Sequence, residues 1–326
     1  MTTPKLRIFS DAPSSASALA ILKEGTAPHE LVFPWRTAES VLVRTEPDPA
    51  LGTADIAFGQ PDVAGVLKSE RLRWIHLTSA GYTRYDTPEF RAFAKSRGLL
   101  VTSSSAVYAE ACAEHVFAFM LAQARRLPQG LQTRCASGSP QWIQLRESSA
   151  LLQKQRAVIL GFGAIAARLV ELLAPFEMEV IAMRRKPRGD ERIPIVTPEH
   201  LRQAFATADH VISILPDNAN SIHFISTERL GWMKPGAIFY NIGRGTTVDQ
   251  QALFESLRSG HLGAAWLDVT DPEPLPDDHP LWTASNCYIT PHTAGGHHNE
   301  SETLVHHFLE NLNRFLGDLP LRDRIM

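Results

Sequence analysis

The chain has 326 residues, 44% of them hydrophobic, and its 32 basic and 35 acidic side chains leave a formal charge of -3. That length and apolar content predict two domains with real cores, and the near balance of charge offers no electrostatic footprint for nucleic acid or an anionic membrane. The three cysteines, Cys112, Cys135 and Cys287, lack CxxC spacing, and no HExxH spacing is present among the histidines, so neither a disulfide framework nor a metal site is expected.

The opening segment MTTPKLRIFSDAP has no apolar signal core, and no apolar run approaches the length of a membrane span. A soluble cytoplasmic protein acting on a small molecule is the expectation. Along the chain, short apolar runs (KLRIFS, ELVFPW, ADIAFG, RLRWIHLTS, LLVTSS) alternate with the helical patterns SSASALAILKEG and TPEFRAFAKSRG. Such alternation predicts an α/β fold on a parallel sheet.

Residues 106–127 then read as one long helix, apolar on more than one face. Gly, Ser and Pro collect in CASGSPQW, so residues 128–155 are read as an extended arm or connector that would serve dimerisation. A second alternation begins at Arg156 and continues through MEVIAM, TPEHLRQAFATA, DHVISILP, STERLGWMKPG, AIFYNIGRG, DQQALFESLRSG, GAAWLDV and NCYIT. Each piece has the length and type of a doubly wound unit. The last amphipathic segment, HHNESETLVHHFLENLNRFLGD, would return to the first domain. The expected domains are 1–105 plus 294–326, and 106–293.

In VILGFGAIA, Gly161 and Gly163 follow an apolar strand and open a helix at Ala164 and Ile165. The first glycine permits a tight turn, the second lets a pyrophosphate approach the backbone, and the helix start supplies unpaired amides. An NAD site would end its second strand with a carboxylate for the ribose. Here Arg184, Arg185, Lys186 and Arg188 follow that strand instead. Cations suit a 2′-phosphate, so NADP(H) is expected as the preferred cofactor, with NAD(H) possible. Ligands in an open α/β sheet bind beyond the carboxyl ends of strands, which places Arg244, Asp268, Glu273 and His292 at one crevice. The prolines of TDPEPLPDDHPLW make a stiff loop that would aim Glu273 at His292, 19 residues downstream.

The segments GFGAIA, NIGRG, LDVTDPEPLPDDHPLW and TPHTAGG resemble, in order and spacing, those of the D-isomer-specific 2-hydroxyacid dehydrogenases. LRWIHLTSAGYTRYD and ACAEHVFAFMLAQARRLP look like that family's substrate loop and interdomain helix, so the match runs from about Asp55 to Gly317. The resemblance implies two Rossmann-like domains, each with a doubly wound parallel sheet, flanking an active-site cleft. It implies that Arg244 holds the carboxylate and carbonyl oxygen of a 2-oxo acid, that His292 is the proton donor, and that Glu273 orients the imidazole. It also implies that Asp268 faces the nicotinamide amide, that Pro216, Ile242 and Gly295 lie along the cofactor, and that the amides of Ser79, Ala80 and Gly81 take the substrate carboxylate.

Glu273, where formate dehydrogenases of the superfamily carry glutamine, argues against formate. LDVTDPEPLPDDHPLW together with RRKPR looks most like glyoxylate and hydroxypyruvate reductases, which would make a D-2-hydroxy acid. Two alternatives stay open at this point: an NAD-linked dehydrogenase of another or bulkier 2-hydroxy acid, and a cofactor-sensing binding protein like the dehydrogenase-like corepressors.

Overall fold

The computed structural model describes residues 5–12, 15–35 and 47–326. Ser14 of the first predicted helix and residues 1–4 of the opening segment lie outside the described residues. The chain divides into two compact units, Met1–Tyr108 with Gly296–Met326, and Ala109–Gly295.

Unit 1 begins β1 (Arg7–Ser10), α1 (Ala16–Gly25), β2 (Glu30–Val32), β3 (Ile56–Gly59), α2 (Val63–Lys68), β4 (Trp74–Leu77), α3 (Pro88–Arg97) and β5 (Leu100–Thr102). Then α4 (Ser105–Ala124) leads into unit 2, which runs α5 (Leu127–Gln132), α6 (Pro140–Glu147), β6 (Arg156–Leu160), α7 (Ala164–Leu173), β7 (Glu179–Met183), β8 (Ile195–Val196), α8 (Leu201–Phe205), β9 (His210–Ser213), α9 (Thr227–Trp232), β10 (Ile238–Asn241), α10 (Gln250–Arg258), β11 (Ala264–Leu267) and β12 (Cys287–Ile289). The chain returns to unit 1 as α11 (Glu300–Leu316).

Both sheets are parallel. Unit 1 has the order β2-β1-β3-β4-β5, and unit 2 the order β12-β11-β10-β9-β6-β7-β8. Fully buried strands such as Ile56–Gly59 and Ala264–Leu267 explain why they read as unbroken apolar runs: helices cover both faces of such sheets. In unit 2 the order reverses at β6, which has β7 on one side and β9 on the other. A crevice opens at such a switch point, just beyond the carboxyl end of β6, where the glycine turn stands.

In unit 1, α11 lies against α1 closely enough that a Cβ on Gly25 would meet Leu309 Cδ1 at 2.3 Å. Phe308 stacks on Phe58 at 4.4 Å and on Trp74 at 5.4 Å. Burying a ring of that size contributes about 2–3 kcal/mol, enough to tie the last helix to the first sheet. The chain end also covers the exposed edge of β5, with Ile325 N donating to Val101 O and Val101 N to Met326 O.

Two sequence expectations change. Residues 128–155 are not an extended arm throughout, because α5 and α6 form within them. Ser139 caps α6 by accepting from Trp142 N at 3.3 Å, and Pro140 sits at its first turn. The Ser-Pro pair that reads as a loop signal is here a helix start. A short edge strand, β8, also extends the sheet beyond β7, too brief at two residues to carry a periodic pattern.

Candidate active site

At the end of β6, Gly161 has φ +93°, and a Cβ there would lie 3.2 Å from the Ile214 carbonyl oxygen. Only glycine takes that conformation without strain. Gly163 is the N-cap of α7 with no side chain capping the helix, and a Cβ on it would meet nothing within 4 Å. The amides of Ala164 and Ile165 thus start a helix at its positive dipole end with no side chain capping them and room beside Gly163, an arrangement that fits a pyrophosphate.

The basic run follows β7. Arg184 Nη1 donates to Glu191 Oε1 at 3.1 Å, and the Glu191 carboxylate also accepts from Arg188 N and Gly189 N, each at 2.8 Å. Those bonds, led by the one from Arg188 N, hold the Glu191 carboxyl down to about 2. Arg185, Lys186 and Arg188 are exposed and, among the described residues, have no acidic partner.

Arg244 follows β10 in a strand-like backbone conformation, φ -148° and ψ 143°. Its neighbours are glycines for steric reasons: a Cβ on Gly243 would lie 2.5 Å from Leu215 O, and one on Gly245 2.0 Å from the Thr270 carbonyl. Asn241 Nδ2 donates to Arg244 O at 3.0 Å, and its Oδ1 accepts from Gly243 N at 3.1 Å. The arginine backbone is thus fixed from both sides. Its guanidinium donates to Gly243 O at 2.6 Å and, among the described residues, pairs with no acid.

The loop after β11 is tethered at two points. Leu275 is buried in the unit 2 core, and the Gln250 side chain, from the start of α10, bonds both ways to Asp271, donating to its carbonyl and accepting from its amide at 3.1 Å. This brings Glu273 to His292, with Oε2 2.9 Å from Nδ1. Nε2 of that ring has no partner among the described residues, and the side chain is 22% exposed. His292 has φ +53°, an uncommon conformation for a residue with a Cβ.

Asp268 lies just beyond the end of β11. It is 1% exposed and turned inward: Oδ1 accepts from Thr290 Oγ1 at 2.7 Å and Thr293 N at 2.8 Å, and Oδ2 from Ala294 N at 2.9 Å. Its carbonyl accepts from His292 N at 2.9 Å. One residue therefore pins the turn that carries His292. His115, on α4, stands behind it, with Nε2 3.3 Å from Thr290 Oγ1 and 3.7 Å from Asp268 Oδ1, and burial lowers its pKa despite that carboxylate. Ile242 is buried with its amide donating to Ser213 O, while Pro216 is exposed and Gly295 half-buried.

In unit 1, the half-buried loop Ser79–Gly81 follows β4. Ser79 Oγ accepts from Gln60 Nε2 at 2.8 Å and donates to Gly81 O, and Arg84 Nη2 donates to Gln60 Oε1 at 2.9 Å. Among the described residues, the amides of Ser79, Ala80 and Gly81 donate to no protein acceptor. Gln60, Gln250, Asn241 and His115 were not anticipated as site residues: Asn241 stands in NIGRG and His115 in ACAEHVFAFMLAQARRLP, but each of the four acts through a backbone or neighbour fixed only by the fold.

A doubly wound sheet with a bare glycine turn and an Arg, Glu and His beyond its strand ends defines a nicotinamide-linked dehydrogenase as the class. The profile of the D-isomer specific 2-hydroxyacid dehydrogenase, NAD binding domain, matches residues 117–294. The chain is 32% identical over 248 residues to a mouse glyoxylate reductase/hydroxypyruvate reductase, covering 74% of this chain and 72% of that one. It is 30% identical over 259 residues to a glyoxylate reductase of Korarchaeum cryptofilum, covering 77% and 75%. A crystal structure of a Thermus thermophilus protein, 28% identical, superposes with a TM-score of 0.76 over 98% of this chain and 100% of that one.

The chain belongs to the D-isomer-specific 2-hydroxyacid dehydrogenases, NAD(P)-dependent oxidoreductases acting on CH-OH donors. Among the described residues, no helix is long and apolar enough to cross a membrane.

Proposed function

We propose that the protein is an NADP(H)-preferring reductase of a small 2-oxo acid, glyoxylate or hydroxypyruvate first, yielding the D-2-hydroxy acid. The observation that carries the reading is the Glu273–His292 pair at 2.9 Å, which leaves Nε2 of the imidazole free beyond the end of β12. Bound nicotinamide supplies the hydride to the carbonyl carbon. His292 gives the proton from Nε2 to the carbonyl oxygen as negative charge develops there, and Glu273 at Nδ1 fixes the orientation of the ring. Arg244, a fork with no acid to neutralise it among the described residues, is the group for the substrate's carboxylate and carbonyl oxygen.

The free amides of Ser79, Ala80 and Gly81 are proposed as anion contacts on unit 1. The names of the mouse and Korarchaeum relatives support the small substrate. The exposed cations Arg185 and Lys186 support a 2′-phosphate. We further propose a cytoplasmic homodimer assembled through residues 128–155, where Leu131 is 87% and Leu151 64% exposed.

Following absorbance of NADPH and of NADH with glyoxylate, hydroxypyruvate, pyruvate and phenylpyruvate tests this reading. The two smallest acids with NADPH should turn over fastest. A preference for phenylpyruvate would overturn the substrate assignment, and a preference for NADH would overturn the cofactor assignment.

A further inference from the structure

The basic loop after β7 contains a glutamate that the NADP(H) reading does not require. Glu191 is an acid set beside the cations expected to meet a phosphate, and on charge alone it opposes them. Its geometry points the other way. The side chain is 5% exposed, and its two oxygens are taken by Arg184 Nη1, Arg188 N and Gly189 N. The bonds to successive amides close the loop into a compact turn, with Gly189 at φ +87° completing it.

The loop is also anchored at its root. Ala182 N donates to Pro194 O, and Arg184 N to Val196 O, so both its ends are held by the pairing of β7 with β8. Glu191 consumes one cation and two amides inside the turn. It leaves Arg185 and Lys186 outside, exposed and without an acidic partner among the described residues.

We propose that Glu191 is a positioning residue for cofactor choice: it locks Arg184 into the loop as scaffold and presents Arg185 and Lys186 to the 2′-phosphate of NADP(H). This rests on the NADP(H) reading above, and it divides the basic run into one structural and two binding cations. Holding a flexible loop in its binding geometry beforehand lowers the ordering cost of each phosphate contact, and the gain exceeds the repulsion from a carboxylate already neutralised by Arg184. The 5′-phosphate and adenine, which make no use of those two cations, gain nothing from it.

The test measures binding, by calorimetry, of 2′,5′-ADP and of 5′-AMP to the wild-type protein and to the Glu191→Ala and Glu191→Gln variants, with Arg184→Ala and Arg185→Ala beside them. Glu191→Ala should weaken 2′,5′-ADP by about tenfold and 5′-AMP by less than about twofold. Glu191→Gln, which keeps the shape and one acceptor oxygen, should fall between. Arg185→Ala should cost more than Arg184→Ala. Undiminished or tighter 2′,5′-ADP binding in Glu191→Ala would overturn the proposal and leave the NADP(H) reading standing. A wild-type protein that binds the two nucleotides equally would remove both. Weakening of 5′-AMP in parallel with 2′,5′-ADP would mean general damage to the turn and would also overturn it.

Discussion

The two ends of the seven-stranded sheet treat a histidine and an acid in opposite ways. At the amino ends of the strands, His210 is 3% exposed, with one ring nitrogen 3.0 Å from Tyr240 Oη and the other 2.5 Å from Gln155 Oε1. Asp209 beside it accepts from Arg156 N at 2.9 Å and from Lys234 Nζ at 2.6 Å. Each of these side-chain groups has a protein partner. At the carboxyl ends, among the described residues, His292 has one nitrogen held and one free, Arg244 has no acid, and α7 has no capping side chain. Groups satisfied internally build a fold; groups held in place but left half satisfied await a ligand.

The comparison breaks first at His292. Replacing it by alanine should lower kcat by about 10²- to 10⁴-fold while NADPH affinity stays within about twofold, since the ring's proposed part is proton transfer and not cofactor binding. Steady-state rates with fluorescence titration of NADPH check this. Retained turnover would remove the ring from the chemistry and leave it another satisfied histidine.

Asp268 is the next point of stress, because it is the internally satisfied acid of the ligand-binding end. In Asp268→Asn one acceptor becomes an amide facing Ala294 N or Thr293 N, and a buried charged set of hydrogen bonds is lost, at a cost of about 2–3 kcal/mol in stability. With the turn loosened, kcat should drop while the KM for cofactor moves little. A rise confined to the cofactor KM would instead support the expected contact with the nicotinamide amide. Denaturant unfolding and kinetics on one preparation distinguish the two.

How far the sequence spoke about each end follows from the same contrast. The alternation of apolar runs with helical patterns announces both parallel sheets, because strands buried on both faces leave no choice of residue. The glycine turn, NIGRG and the proline-rich loop were legible since each needs an unusual backbone: a positive φ at Gly161, no room for a Cβ at Gly245, no helix through four prolines. The inward turn of Asp268 was not legible. An aspartate after a strand reads the same whether its carboxylate meets a ligand or the amides of a turn 25 residues on, and only the closed fold decides. The same holds for Glu191, whose partners include two backbone amides that carry no mark in the sequence.

The last expected effect lies at the amino ends of the strands, and its signature is a dependence on pH that leaves catalysis aside. Burial, partly offset by Asp209, brings the His210 pKa from 6.5 to about 4. As pH falls below 6.5 the unfolded chain takes up a proton that the folded one refuses. The folded state therefore loses stability progressively down to about pH 4, by about 3 kcal/mol for a shift of that size. Above 6.5 the histidine is neutral in both states and contributes no slope. His210→Gln removes this proton, so its unfolding free energy should change less between pH 6.5 and 4 than that of the wild type, even if its value at pH 7 is lower through lost bonds to Tyr240 and Gln155. Urea unfolding across that window measures the difference. Equal slopes would show that the amino ends of the strands admit a proton, and hence that this end of the sheet is less closed than its hydrogen bonds imply.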